Sequence, residues 1–262
     1  MKSSSLAIRA LTMLLAGSAC ARADDVPLLQ LAVHAKQQDF LVGEPVVLHA
    51  ALRNMGETPI EEYRADHYPD HQALEILVSQ DGVRFEKYEM GIWGWSHRRP
   101  LKLGLRPGQS WEFDLRILYT YKRRSGLALE RPGAYSIKVA YPLVSRGGAP
   151  RFLVVSNVVS IAIKAPEGQD AMVWDQMKKA DFVYFLHSGA PKDQKKDAID
   201  TALAILRTTP NTRYRPVLRN ALAEYYAARR RELNRDVETH DEELQRIRDV
   251  LGLGRVAGPE RE

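Results

Sequence analysis

Between residues 27 and 165, apolar side chains recur at every second position. Leu29, Leu31 and Val33 alternate with Gln30, Ala32 and His34, and Val46, Leu48, Ala50 and Leu52 alternate with Val47, His49, Ala51 and Arg53. Trp111, Phe113, Leu115 and Ile117 are spaced by Glu112, Asp114 and Arg116. Tyr135, Ile137, Val139 and Tyr141 are spaced by Ser136, Lys138 and Ala140. Successive side chains of a strand point to opposite faces, so this spacing predicts strands with one buried face and one wet face. Asn54-Met55-Gly56, Asp81-Gly82, Pro107-Gly108 and Pro132-Gly133 separate the runs with the residues that turns require. Short strands divided by turns, with no helical stretch between them, predict an antiparallel β-sandwich over 24–165.

The period changes after Ala165-Pro166-Glu167-Gly168. Val173, Met177, Ala180 and Tyr184 fall on one helical face. Leu218, Ala221, Leu222 and Tyr225 fall on another. Ala198, Ala202, Ile205 and Leu206 mark a helix between them, and Leu244, Ile247 and Leu251 mark a last one. Ser188-Gly189-Ala190-Pro191 and Thr209-Pro210-Asn211-Thr212 are the breaks. The expectation is a small all-α domain of four helices over 166–255, arranged as two antiparallel pairs. The tail at 256–262 has no pattern and is expected to be disordered.

The first residues change the cellular setting. Lys2 and Arg9 precede and flank a short apolar run, Ala10 to Gly17, and small residues follow. That is the build of a secretory signal peptide over 1–23, cut after Ala21-Arg22-Ala23, with a second cut site after Ala19-Cys20-Ala21. The expected location is periplasmic or secreted. Cys20 is the one cysteine and lies in this leader, so the exported part has no disulfide. Bacterial lipoproteins acylate such a cysteine, but they carry an aliphatic residue three positions earlier, where this chain has Gly17. Lipidation is therefore not expected.

Losing Lys2, Arg9 and Arg22 with the leader lowers the net charge from +5 to +2. Much of the basic balance thus belongs to the export signal, and no nucleic-acid partner is expected. No later apolar run approaches the roughly 20 residues of a membrane span, so no stable insertion is expected after leader removal.

"GEPVVLHAALRNMGETPI", "LRPGQSWEFDL", "ERPGAYSIKVAY" and "SNVVSIAI" together resemble a bacterial immunoglobulin-like sandwich. Similar strings occur in the intracellular-proteinase-inhibitor-like domain and in exported bacterial proteins. The resemblance implies strands and turns over roughly 25–165, and no segment matches an inhibitory loop. "PNTRYRPVLRNALAEYYAARR" is loosely similar to a tetratricopeptide helix pair, which implies a peptide-binding or packing role.

Three segments offer candidate chemistry. In "GIWGWSHRRP", Trp93 and Trp95 share a face on an extended chain. They suit stacking on sugar rings, with His97, Arg98 and Arg99 beside them to grip anions, or they complete the core. In "ADHYPDHQ", Asp66, His67, Asp70 and His71 supply oxygen and nitrogen donors for a divalent metal, although Pro69 forbids the helix that would align the histidines. The basic runs Arg229-Arg230-Arg231 and Lys122-Arg123-Arg124 read as a solvated helix end and a strand connection.

No Gly-x-Ser-x-Gly elbow, His-Glu-x-x-His helix or phosphate loop is present, so no catalytic residue is assigned and no cofactor is expected. The functional expectation is a non-enzymatic binding or scaffolding protein of the cell envelope that engages a protein partner. Two alternatives stand beside it. One is a carbohydrate- or wall-binding module using Trp93 and Trp95 on a glycan, and the other a metal-dependent hydrolase centred on His67 and His71.

Overall fold

The computed structural model describes residues 28–63, 74–89, 102–144, 150–191, 196–232 and 242–253. Its first part is β-rich. The strands are β1 (Leu29–Ala35), β2 (Asp39–Leu41), β3 (Val46–Asn54), β4 (Ile60–Tyr63), β5 (Glu75–Ser79), β6 (Glu86–Lys87), β7 (Lys102–Leu105), β8 (Ser110–Ile117), β9 (Gly133–Val144), β10 (Pro150–Val155) and β11 (Val159–Lys164). The expected alternation appears in burial. Leu31 and Val33 of β1 are buried while Ala32 and His34 are exposed, and Phe113 and Leu115 of β8 are buried while Glu112 and Asp114 are exposed.

The strands form a three-stranded sheet in the order β1-β3-β8, a six-stranded sheet β2-β11-β9-β5-β6 with β10 also on β9, and the pair β4-β7. The arrangement is not wholly antiparallel as expected, because β2 runs parallel to β11. After β1 the chain turns at Lys36, and β2 leaves the first sheet to lie along the edge of β11. Ala162 N–H donates to the Gln38 carbonyl at 2.8 Å, and Val42 N–H donates to the Lys164 carbonyl at 3.0 Å. Phe40 and Leu41 of β2 are both buried in the core.

Asn157, between β10 and β11, links the second sheet to the first. Its Oδ1 accepts from Val33 N–H at 2.9 Å and its Nδ2 donates to Val33 O at 2.8 Å. The side-chain amide thus satisfies both backbone groups of one edge residue, as a neighbouring strand would.

A helical part follows: α1 (Gly168–Met177), α2 (Ala180–Ser188), α3 (Asp197–Thr208), α4 (Arg215–Glu232) and α5 (Glu242–Leu251). Five helices are described, not the four expected, because the helix anticipated through Val173 and Tyr184 is broken at Lys178 and Lys179. Lys179 is extended, with ψ 138°. On one continuous helix, Phe182 would stand about 180° around the axis from Val173. The break lets Val173 and Met177 of α1 and Phe182, Val183, Phe185 and Leu186 of α2 all be buried. One continuous hydrophobic core runs from the strands through the helices. Among the described residues, no helix is long and apolar enough to cross a membrane.

Candidate functional site: a polar cleft and the joint behind it

A cleft of about 420 Å³ opens at one end of the six-stranded sheet. Its walls are the end of β5, the turn after it, β6 with Tyr88 and Glu89, and the β8–β9 connection around Thr120, Lys122 and Arg123. The Asp81-Gly82 turn shapes one wall. Asp81 Oδ1 accepts from the Val83 and Arg84 N–H groups and from Ser79 Oγ, each at 2.8 Å. Those donors, Arg84 N–H foremost, hold the Asp81 carboxyl below its ordinary range. Opposite, Gln80 Nε2 donates to the Tyr135 hydroxyl at 2.6 Å, which donates to Arg131 O at 2.8 Å.

Two hydroxyls tie the β6 wall to the β8–β9 wall. Tyr88 donates to Tyr119 O at 2.6 Å and Thr120 donates to Glu89 O at 2.7 Å. Burial pushes the Tyr88 phenol well above its usual range, so it stays a donor. The Glu89 carboxylate receives Lys122 Nζ and the Tyr121 hydroxyl, both at 2.7 Å. These bonds, the Lys122 one first, hold Glu89 below and raise Lys122 above their ordinary values. Lys87 is paired with Glu75 at 2.7 Å. The exposed Arg84 and Glu86 also line the cleft.

The β8–β9 connection also touches the helices. The Tyr119 ring meets Tyr184 edge-on at 5.3 Å and stacks against His187 at 6.2 Å. Arg116 reaches from β8 to donate to Leu186 O at 2.6 Å and to Glu224 Oε1 at 3.2 Å. His187 is half-buried there, and desolvation followed by the Arg116 charge lowers its pKa to about 4, which keeps the ring neutral.

A second contact joins the parts at β2. Tyr214, fully buried, donates its hydroxyl to Val42 O at 2.6 Å. Arg213 donates to Asp39 O at 2.7 Å and to Glu44 Oε1 at 3.2 Å. Burial raises the Glu44 carboxyl, against the pull of Leu41 N–H and Arg213. Asp170 orients this loop by accepting from Thr212 Oγ1 at 2.6 Å and from Arg213 N–H at 3.0 Å. Gly43, at φ 87°, passes beneath the Trp174 ring, where a Cβ would overlap the indole. These contacts also cover β2, an edge strand otherwise open to pairing with another chain.

Trp93, Trp95, His97, Arg98 and Arg99 lie outside the described residues, as do Asp66, His67, Asp70 and His71. Residue 90 follows directly on the cleft residue Glu89. The wall around Tyr88, Tyr119 and Thr120 carried no motif, and Arg213 and Tyr214 lay in the string similar to a tetratricopeptide pair without being singled out. The Asp81-Gly82 turn and the basic strand connection at Lys122 and Arg123 were the cleft features visible in sequence. Among the described residues, no group of three or more His, Cys, Asp or Glu is arranged to hold a metal ion.

No protein-family model matches the chain, and no curated protein does. Solved structures give distant likenesses. A β-glucosidase from Erythrobacter marinus aligns at 13% identity over 53% of this chain and 16% of its own, with TM-score 0.30. An alkylpurine DNA glycosylase from Pseudomonas fluorescens, bound to DNA containing an abasic site analogue, aligns at 11% over 55% and 32%, with TM-score 0.31. The CARDB domain of a Pyrococcus furiosus protein, in complex with di-metal ions, aligns at 11% over 54% and 90%, with TM-score 0.26. The chain spans about a sixth of the length of the β-glucosidase, and likenesses this low carry no chemistry across.

Proposed function

We propose that this chain is an exported, non-enzymatic binding protein of the cell envelope. It is built as an immunoglobulin-like sandwich with its helical part clamped against it, and the cleft seats a polar segment of a protein partner. The observation that carries this reading is the cleft itself. It is open and lined by both signs of charge, and its walls are braced by Tyr88, Thr120 and, through Tyr119, the helices. Open polar surfaces on a braced scaffold suit recognition of an extended partner. The sandwich reading is supported by the two larger sheets sharing one core and by the Asn157 link between them. Export is supported by the leader-like residues 1–23.

The experiment is site-specific photocrosslinking in a bacterial host, with the photoreactive residue at position 84 on the cleft wall or at position 172 on exposed α1. A discrete protein adduct in the envelope fraction from position 84 alone is the expected result. No adduct from position 84, or the same adducts from both positions, overturns the cleft as the binding seat. Sequencing the mature amino terminus tests export, with Asp24 as the expected first residue and an uncut chain as the opposing one.

A further inference from the structure

The helical part meets the β-rich part at two joints that are built differently. At the first, Arg116 Nη2 donates to Leu186 O and Nη1 to Glu224 Oε1, but Arg116 Nε is buried with no hydrogen-bond partner among the described residues. The neighbouring His187 Nδ1 is buried and unpaired in the same way. At the second joint the polar groups are paired. Tyr214 donates to Val42 O, Arg213 donates to Asp39 O and Glu44 Oε1, and Glu44 Oε2 accepts from Leu41 N–H at 2.6 Å. We infer that the helical part is hinged: protonation of His187 opens the joint at Arg116, while the joint at Tyr214 and Val42 stays closed and serves as the pivot.

The opening follows from what surrounds the ring. The charged and titratable groups at the first joint are Arg116 of β8, Tyr119 of the β8–β9 connection, Glu224 of α4 and, on α2 itself, Tyr184. A neutral imidazole tolerates a dry Nδ1 as a bare lone pair, whereas the protonated ring is a donor at both nitrogens. Protonation therefore sets a second cation beside Arg116, and Glu224, the carboxylate of this joint, is already engaged by the guanidinium. A cation in the last turn of a helix is ordinarily favoured. Desolvation and the Arg116 charge outweigh that preference here and lower the ring to about 4. The end of α2 is packed closely on α4, because a Cβ on Gly189 would overlap Glu224. Relief comes from parting α2 from β8.

Acid acts the other way at the second joint. Burial raises the Glu44 carboxyl against the Leu41 N–H and Arg213, and the Asp170 charge adds to the rise. A carboxyl raised in the closed state takes up its proton more readily there, so acid does not drive this joint apart through Glu44. The Tyr214 phenol keeps its proton and its bond to Val42 O throughout the acid range. Opening at the first joint reaches the cleft, because Tyr119 belongs to both. Its ring packs on Tyr184 and His187, and its carbonyl accepts the Tyr88 hydroxyl that braces the cleft wall.

The test is hydrogen exchange of the purified full chain between about pH 7 and pH 4, read by mass spectrometry and corrected for the intrinsic exchange rate. Protection in 116–120 and 184–189 is expected to fall as the pH drops below 6.5, by up to about tenfold per pH unit, the limit for uptake of one proton. Protection in 39–44 and 212–218 should hold over the same range. His187→Gln should remove the acid loss at the first joint. His34→Gln/His49→Gln should respond like wild type, since those two histidines lie in register with Asp114 across the wet face of β1, β3 and β8. Full protection of the first joint down to pH 4, equal loss at both joints, or an acid loss that persists in His187→Gln each overturns the inference. The contrast between the joints is read in wild type and so does not depend on the folding of any variant.

Discussion

The Tyr214 hydroxyl donates to the Val42 carbonyl at 2.6 Å, joining two residues 172 positions apart in the chain. Tyr214 has no solvent exposure. Burial, and the Glu44 charge after it, raise the phenol, so it remains protonated and can only be satisfied by donating. Tyr214→Phe keeps the ring and strands the Val42 carbonyl in a dry site. The expected cost is about 1–3 kcal/mol, read as a lower urea midpoint with an unchanged slope.

The same joint tests close packing. Gly43→Ala adds a Cβ where the Trp174 ring already lies, at a positive φ that alanine resists. The expected destabilisation is about 2 kcal/mol or more, from backbone strain and overlap together. In a Trp174→Ala background the overlap disappears, so Gly43→Ala should cost measurably less. Equal costs in the two backgrounds would show that the indole is not the obstacle.

Asn157→Ala removes both bonds to Val33 and leaves an edge strand without its lateral partner. A loss of about 1–3 kcal/mol is expected. Hydrogen exchange at Val33 N–H should accelerate more than at the other amides of β1, because that is the group directly released.

His187 supplies a pH signature. Its pKa of about 4 in the folded chain lies below the ordinary 6.5, so the unfolded chain binds a proton more readily. Its contribution is constant above about pH 6.5. Stability then falls as pH drops from 6.5 to 4, and below that this group adds no further slope. The loss is on the order of 3 kcal/mol across the window. Carboxylates titrate in the same range, so the measurement compares wild type with His187→Phe from pH 7 to pH 4. The difference between the two should shrink the wild-type advantage by that amount; parallel curves would refute it.

The local periods are legible in the sequence. Alternation in 29–34, 46–53, 111–117 and 135–141 marked strands and even told which residues face water, His34, His49 and Asp114 among them. The helical spacing after Pro166 marked helices. These signals survive in sequence because they depend on neighbours within a few residues: the pleat of a strand and the pitch of a helix are set locally.

Which strands pair, and which distant residues meet, depended on the whole core. β2 runs parallel with β11, and Phe40 and Leu41 are buried there. The helix through Val173 and Tyr184 broke because its two apolar stripes face different ways on one axis. The cleft walls, the Arg213–Tyr214 joint and the His34–His49–Asp114 row each combine residues from separate elements, and one-dimensional spacing holds no record of such meetings. Outward-facing histidines were visible one by one in the alternation, but only the register of three strands laid them side by side.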